Sequence, residues 1–473
     1  MRWTRPAIAA RGVAWSADRL RHPRAPLVLL VLLCAVAAGV RAYQLGTPVA
    51  KPPKQGYIFD ERYYVSAARV IAGERVTRGD IYFHAAPKGA DPNAEHPQLG
   101  KAIIAGAIRL FGDNAVGWRI SAVVFAVAAI LLLYWLVRCA GGGPWLALGV
   151  ASLASFDNLW LVHSRIAVLD IYVVPFMLAG AAFYLRRRPL TSGVLIGVGC
   201  CVKEFAAYTV LVLVLLELMR IAARVAGRRA SGGEGTRSRA LVRGLRAGLR
   251  QLVPAVAMFV VAAVTFFSLL SALDAAFPPY SNGHRVDRHQ ASICKHLLIW
   301  RSGCNHFAFM NHYAATLTDH GKPRGIASAP TEWWLNRKVI TYYGTSVIVK
   351  SRGVVQSQRA VLAFKGEISR VLLYTSWLAL LLSGWWAIRN RDDLSLLTIA
   401  WALGTWLPPE LFHLIDKRTT YLYYMVVTMP ALYIAVARLL GAKRLPWLIA
   451  AAWAVAFIWD FAALYPFRQA ISL

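Results

Sequence analysis

Residues 25–61 read APLVLLVLLCAVAAGVRAYQLGTPVAKPPKQGYIFDE. The opening of this stretch, residues 25–45, is apolar over about the ~20 residues a helix needs to cross a bilayer. It ends in two adjacent acids, Asp60 and Glu61. Carboxylates beside a membrane are costly unless they are paired or used. The polar stretch runs on to His96-Pro97-Gln98-Leu99-Gly100-Lys101, and residues 57–101 are the segment the rest of the chain serves. Upstream lie Arg2, Arg5, Arg11, Arg19, Arg21 and Arg24, which should hold the N-terminal end in the cytoplasm. The first span therefore delivers residues 46–101 to the outer face. No convincing small-residue cleavage site follows the apolar run, so a retained helix is expected rather than a signal peptide.

Composition agrees with a membrane chain. Of 473 residues, 58% are hydrophobic, which no soluble globule of this length needs. The net charge of +30 would ordinarily suggest nucleic acid. Many of the basic residues instead cluster between apolar segments, which is the signature of topology, and a nucleic-acid partner is not expected. Cys34, Cys139, Cys200 and Cys201 fall in or beside apolar spans and read as small core residues. Cys294 and Cys304 share one polar loop and can form a disulfide if that loop is external.

Further spans are expected near residues 117–138, 144–162, 167–185, 190–203, 205–222, 251–273, 367–388, 394–412, 420–438 and 446–465, making eleven with the first. Starting inside, this count puts Arg138, Arg186-Arg187-Arg188, the 220–250 loop and the basic 389–391 and 438–444 segments in the cytoplasm. The 220–250 loop holds nine Arg against one Glu, which argues strongly for that side. The fold class expected is an all-α polytopic membrane protein, one domain over 1–473 without internal repeats. It carries outer loops at 46–116 and 274–366 and a basic cytoplasmic loop at 223–250. A Gly-, Ser- and Arg-rich piece within the last, residues 228–239, reads as disordered. Helices lying in the interface are expected at Tyr63, Tyr64, Ala67, Ala68 and Ile71, and again over 102–111. Pro408 and Pro409 should break the outer end of the ninth span.

The same topology gathers the polar residues. Asp60, Glu61, His96, Lys101, Asp157, His163, Arg165, Asp170, Lys203, Glu204, Glu410, His413, Asp416 and Arg418 all fall at or near the outer face, so the chemistry should be extracytoplasmic. Each is open to two readings. Asp60-Glu61 can act as a general base toward a hydroxyl, or Asp60 can simply N-cap the following helix. His96 in its Pro-rigidified turn is catalytic or structural, and Lys101 is available to a phosphate or carboxylate. Arg165 can hold a phosphate or pair with Asp170. Lys203 can contact a phosphate or snorkel to the interface. Trp333 and Trp334 can stack on a sugar or anchor in the belt. Six histidines in the 274–366 loop, His312 among them, show no metal-type spacing, and no metal is expected.

Four motifs in order, Phe59-Asp60-Glu61, His96-Pro97-Gln98-Leu99-Gly100-Lys101, Gly117-Trp118-Arg119 and Ser164-Arg165 through Leu169-Asp170, resemble the protein O-mannosyltransferase family of the GT-C superfamily. Lys203, Asn311-His312-Tyr313, Trp333-Trp334 and the aromatic run 418–424 extend the resemblance, most densely over 57–204. Gln98 stands where the family has a second Pro, and Glu204 where it has an aromatic residue. The 274–366 loop has no room for the sugar-binding module of eukaryotic members, which points to the bacterial branch. The resemblance implies an inverting, metal-independent transferase of the plasma membrane, taking mannose from polyprenyl-phosphate mannose to Ser/Thr hydroxyls of secreted polypeptides, with the secretion translocon as an expected partner. It makes Asp60 the base, with Glu61 beside it, and makes Arg165, Lys203 and Arg418 the donor-phosphate ligands. His96, Lys101, Asp170, His312, Trp333 and Trp334 would support substrate. No DxD pair, Walker loop or dinucleotide fingerprint is present to hold a nucleotide sugar. A lipid or cell-wall glycan acceptor remains an alternative, and a transporter or flippase a more distant one.

Overall fold

A computed structural model describes residues 24–48, 56–230, 234–288, 292–351 and 354–467. The N-terminal arginines up to residue 23 lie outside the described residues, as do residues 49–55 of the first outer loop and 231–233 of the basic loop.

Helix α1 (Ala25–Ala42) is the first span. The first of the two loops expected on the outer face follows and contains α2 (Glu61–Ala72) and α3 (Leu99–Phe111), both amphipathic and short, as the helical spacing predicts. The body is built from α4 (Ala115–Cys139), α5 (Pro144–Phe156), α6 (Asn158–His163), α7 (Leu169–Leu185), α8 (Pro189–Cys200), α9 (Tyr208–Ala230) and α10 (Glu234–Ala276). After the second outer loop come α13 (Arg370–Arg389), α14 (Asp393–Asp416), α15 (Met429–Leu440) and α16 (Trp447–Leu464). Among the described residues six helices are long and apolar enough to cross a membrane: α1, α4, α9 with its preceding turn, the 252–276 part of α10, α13 and α16. Helices α5, α7, α8 and α15 are apolar but shorter.

Close backbone approach sets the packing of α8 on α10. A Cβ at Gly193 would fall 2.5 Å from the Met258 carbonyl oxygen, and one at Gly197 would fall 2.6 Å from that of Ala262. Two glycines four residues apart on one face let the backbones touch, the usual device where lipid tails supply no hydrophobic drive between helices.

Two expectations are corrected. The 228–239 segment is mostly helical, because α9 runs to Ala230 and α10 starts at Glu234. Arg and Ala are good helix formers and two flanking helices extend into it. Pro408 and Pro409 lie inside α14, which continues to Asp416. Prolines are tolerated in membrane helices where neighbours cover the freed carbonyls. The helical body expected from the sequence also carries small β elements. The second outer loop holds α11 (Arg301–Thr316), α12 (Pro330–Trp333), a short hairpin β1 (Tyr280–Ser281) with β2 (His284–Arg285), and a long antiparallel hairpin β3 (Ile340–Ser351) with β4 (Val354–Gly366). The β3 sequence, ITYYGTSVIVKS, is rich in β-branched and aromatic residues and is followed by Arg352-Gly353, a strand-turn signal that the helical reading passed over. Cys294 and Cys304 form a disulfide that joins the 310 turn Ser292–His296 to α11.

Candidate active site

The acids separate at once. Glu61 is fully buried and its carboxylate is saturated. Arg119 donates to it twice, Nε to Oε1 and Nη2 to Oε2, each at 2.8 Å. The backbone N–H groups of Ile58 and Ala167 add bonds of 2.8 and 2.9 Å. Arg119 also donates to the carbonyls of Leu45, Thr47 and Gly56, each at 3.0 Å. A bidentate, desolvated pair of this kind fixes geometry. It leaves Glu61 no lone pair for a substrate, so the expectation of two catalytic acids narrows to one.

Asp60 is the opposite case. It occupies the N-cap position of α2, but its side chain makes no capping bond. Capping therefore does not explain this acid. The carboxylate is half-buried, and burial together with the Asp170 charge pushes it up to about 6, against the pull of Lys203, His96 and Arg62. The residue before it, Phe59, is held at a φ of +53°, a region that bulky side chains avoid. Its ring stacks on Tyr342 at 4.3 Å between centroids and meets Tyr423 edge-on at 5.6 Å. Strain of this sort, of order 1–3 kcal/mol, tends to be kept where function requires it.

Lys203 is among the cations whose charge reaches Asp60. Lys203 Nζ lies 2.6 Å from Asp170 Oδ1 at the start of α7, and inside a cage formed by the rings of Phe205, Tyr423 and Tyr424 at 4.5, 5.6 and 5.9 Å. Arg418 reaches the same aromatic group, since its charge acts on Tyr208, Tyr421 and Tyr424. Its Nε is buried and finds no hydrogen-bond partner among the described residues. A guanidinium nitrogen left unsatisfied is a site for an anion. His96 Nδ1 meets the Glu204 carboxylate at 3.3 Å, which gives Glu204 a partner the sequence does not suggest.

Other expected ligands have different partners. Arg165 does not pair with Asp170. It donates to the carbonyls of Val40, at 2.6 Å, and Tyr43, and lies over the rings of Phe467 and Tyr465 at 4.9 and 5.9 Å. Helix C-termini carry carbonyls without helical partners, and this buried Arg satisfies those of α1. Lys101 is fully buried, with Nζ 2.6 Å from Asp91 Oδ2 and 2.8 Å from the His96 carbonyl, so it braces the loop that carries His96. Trp333 is 1% exposed, donates to Ser328 Oγ at 2.9 Å and sets its edge against Tyr424. Trp334 packs on Trp406. Trp333 offers no free face in the way sugar stacking needs, whereas Trp334 is half-buried. His312 is exposed on α11, and the neighbouring Tyr313 faces Asp60, Tyr63 and Tyr421 instead.

Residues to which the sequence assigned no chemical role complete the site. His163 Nε2 and the Tyr342 hydroxyl are 2.9 Å apart, and His163 Nδ1 is 3.9 Å from Asp170. Tyr64 stands beside Asp60, Asp170, Glu204 and Tyr424. Among the described residues there is no cluster of three or more His, Cys, Asp or Glu that could hold a metal ion.

The arrangement can therefore supply one basic carboxylate and two cations in an aromatic enclosure at the end of the helical bundle. A family model for dolichyl-phosphate-mannose-protein mannosyltransferase matches residues 104–270. A polyprenol-phosphate-mannose–protein mannosyltransferase of Mycolicibacterium smegmatis is 30% identical over 162 residues, 34% of this chain and 29% of that one. This alignment thus spans less than a third of the relative's length. The protein of the same description from Mycobacterium tuberculosis H37Rv is 24% identical over 506 aligned positions, covering 95% of this chain and 88% of that one. Among solved structures, the Saccharomyces cerevisiae protein O-mannosyltransferase Pmt1–Pmt2 complex bound to the sugar donor superposes with a TM-score of 0.61 at 12% identity, over 93% of this chain and 90% of that one. ArnT from Cupriavidus metallidurans in its apo state gives 0.52 at 17% identity, over 91% and 62%. These likenesses show that the chain shares the fold of these membrane proteins. In sequence it is similar to protein mannosyltransferases, through the family model over residues 104–270 and through the 24% identical relative over most of its length.

Proposed function

We propose that this chain is an inverting glycosyltransferase that moves mannose from polyprenyl-phosphate mannose to Ser or Thr hydroxyls of exported proteins, at the outer face of the plasma membrane. The observation that carries the reading is Asp60: a half-buried carboxylate at a helix start, making no cap, pushed up to about 6 by burial and Asp170 and within reach of the Lys203 charge. A base poised near the working pH suits deprotonation of an alcohol as it attacks. The acceptor oxygen would bond to the anomeric carbon while the bond from that carbon to the phosphate oxygen breaks. Asp60 takes the hydroxyl proton, and the lipid phosphate leaves as an anion. Attack from the face opposite the phosphate inverts the centre.

The leaving phosphate would be met by Arg418, whose Nε lacks a partner, and by Lys203, held by Asp170. Two cations beside aromatic rings would supply the charge stabilisation that a metal would otherwise give, so the proposed reaction is metal-independent. Arg165 and Lys101 take no part in this version: both terminal nitrogens of Arg165 are bonded to the carbonyls at the end of α1, and Lys101 is held by Asp91. An outer-face site is supported by the basic segments on the opposite side of the topology and by the disulfide in the second outer loop. Delivery of the acceptor by a secretion translocon would follow only from its being an exported chain.

The test is transfer of labelled mannose from purified polyprenyl-phosphate mannose to a Ser/Thr-rich peptide, with EDTA present, by the wild type and by Asp60→Asn. Transfer that survives EDTA and falls at least ~10²-fold in the variant supports the assignment. Transfer only to a lipid or glycan acceptor would move the chain to the alternative acceptor class, and full activity of Asp60→Asn would remove the base.

A further inference from the structure

The hairpin β3–β4 ends beside the catalytic acid. Its register is irregular at Tyr342, where Thr341 pairs with Lys365 and Tyr343 with Phe364, so Tyr342 is the extra residue on β3. Bulges commonly re-aim a side chain next to an active site. Tyr342 is turned inward, stacked on Phe59 and bonded to His163. The other two irregularities lie between Thr345 and Ser346 and between Val349 and Lys350, and both put the extra residue on β4. From Tyr343 outward β3 has no extra residue of its own.

The two edges of this hairpin are not alike. On the β4 side the Ala363 N–H donates to the Pro466 carbonyl at 3.0 Å, Leu362 bridges to Phe467, and the Lys365 carbonyl accepts from Asn158. On the β3 side no second strand is paired among the described residues. Because Ala363 sends its N–H away from β3, the facing pair Gly344 and Ala363 is a non-hydrogen-bonded one, in which both residues turn N–H and C=O outward. The polar groups of Gly344 therefore face the open edge. Thr341, Gly344, Thr345 and Ser346 are exposed, and no charge or proline occurs from 340 to 349. Natural sheets usually blunt a long edge with such residues.

We propose that the free edge of β3 receives the acceptor polypeptide as an added, antiparallel or parallel strand, with Gly344 bonding its main chain and the Tyr342–Phe59 contact leading it toward Asp60. This rests on the reading that the acceptor is a polypeptide. Strand addition binds through backbone groups and is tolerant of side chains. It would let one enzyme accept Ser and Thr in many sequences, provided the segment is extended.

The experiment uses the full chain in lipid nanodiscs and a Ser-containing peptide of about ten residues, N-methylated at one backbone nitrogen at a time. A peptide strand turns alternate N–H groups to its neighbour, so methylation at every second position should raise KM about tenfold, the loss of one hydrogen bond, and intervening positions should change it little. Gly344→Pro, which removes the outward N–H without removing a ladder bond, should raise KM for all peptides alike while the KM for the lipid donor stays the same. Transfer with a flat response to methylation, or a loss confined to positions touching the reacting Ser, overturns strand addition and leaves the enzymatic reading intact. If no peptide is mannosylated, the enzymatic reading fails instead. Fluorescence anisotropy with the same peptides then decides the edge: alternating loss of binding supports it, and uniform or absent binding overturns it.

Discussion

Lys203 Nζ lies 2.6 Å from Asp170 Oδ1, with both side chains no more than 5% exposed. The pair joins the turn after α8 to the start of α7, and it faces Asp60 with one positive and one negative charge. Removing one partner of a buried pair leaves an uncompensated charge and costs about 3–5 kcal/mol, whereas replacing both by apolar groups is often neutral. Asp170→Ala should therefore lower the midpoint of thermal unfolding in detergent sharply. Lys203→Met with Asp170→Leu should recover most of that stability and still fail to transfer mannose, because the cation facing the phosphate is gone. Activity in the double variant would make the pair purely structural.

The pH dependence follows from Asp60. With its carboxyl pushed up to about 6, the group is protonated and idle as a base below that pH and ionised above it. The rate kcat/KM of peptide mannosylation should rise about tenfold per pH unit below ~6 and level off above it. Asp60→Asn should lose the slope together with ~10²–10⁴ of the rate. A profile that stays flat between pH 5 and 7 would show that some other group limits the reaction.

Arg165 and Arg418 should behave in opposite ways, though both look like phosphate ligands in sequence. Arg165 satisfies the Val40 and Tyr43 carbonyls at the end of α1, so Arg165→Ala should destabilise the chain by about 1–3 kcal/mol per orphaned carbonyl and leave KM for the donor unchanged in the protein that folds. Nε lacks a partner in both residues, but only Arg165 also carries the carbonyls of a helix end, so Arg418→Ala should raise the donor KM with little change in thermal stability. Arg418→Lys should restore it only in part, because an ammonium cannot reproduce the planar fork. Equal effects of the two alanine variants on donor KM would contradict this division.

These contrasts show how far the residues alone could be read. A charge at a membrane boundary needs a partner or a purpose, which is why Asp60, Lys203 and Asp170 stood out before any fold was known. The bundle was legible for the same reason, through its apolar runs. What could not be read was whose backbone each cation meets. Arg165 bonds carbonyls more than a hundred positions away, and Lys101 bonds Asp91 and the His96 carbonyl in a loop without regular structure. Glu61 looked catalytic beside Asp60 because nothing local reveals that Arg119 already holds it. The pairing of His96 with Glu204 likewise appears only once α8 brings its end to the first outer loop.

The last prediction concerns Gly366, where β4 ends against the Tyr342 ring. A Cβ at this position would fall 2.5 Å from Tyr342 Cζ and still closer to its hydroxyl. The ring cannot retreat easily, since it is stacked on Phe59 and bonded to His163. Overpacking of a fixed side chain typically costs about 1–3 kcal/mol and is relieved by movement. In Gly366→Ala the movement available is of Tyr342 away from Phe59, which would loosen the residue that precedes Asp60. The expected result is a kcat reduced about tenfold or more with a modest fall in stability, each unit of 1.4 kcal/mol in the barrier being one decade. Tyr342→Phe, which keeps the ring and removes only the hydroxyl, separates the two causes. It should cost about 1 kcal/mol through the lost His163 bond and spare most of the rate. In the double variant, Gly366→Ala with Tyr342→Ala, the clash disappears but so does the stack on Phe59, and kcat should stay low. Full recovery of kcat there would mean that the Tyr342–Phe59 contact does not hold Asp60 in place.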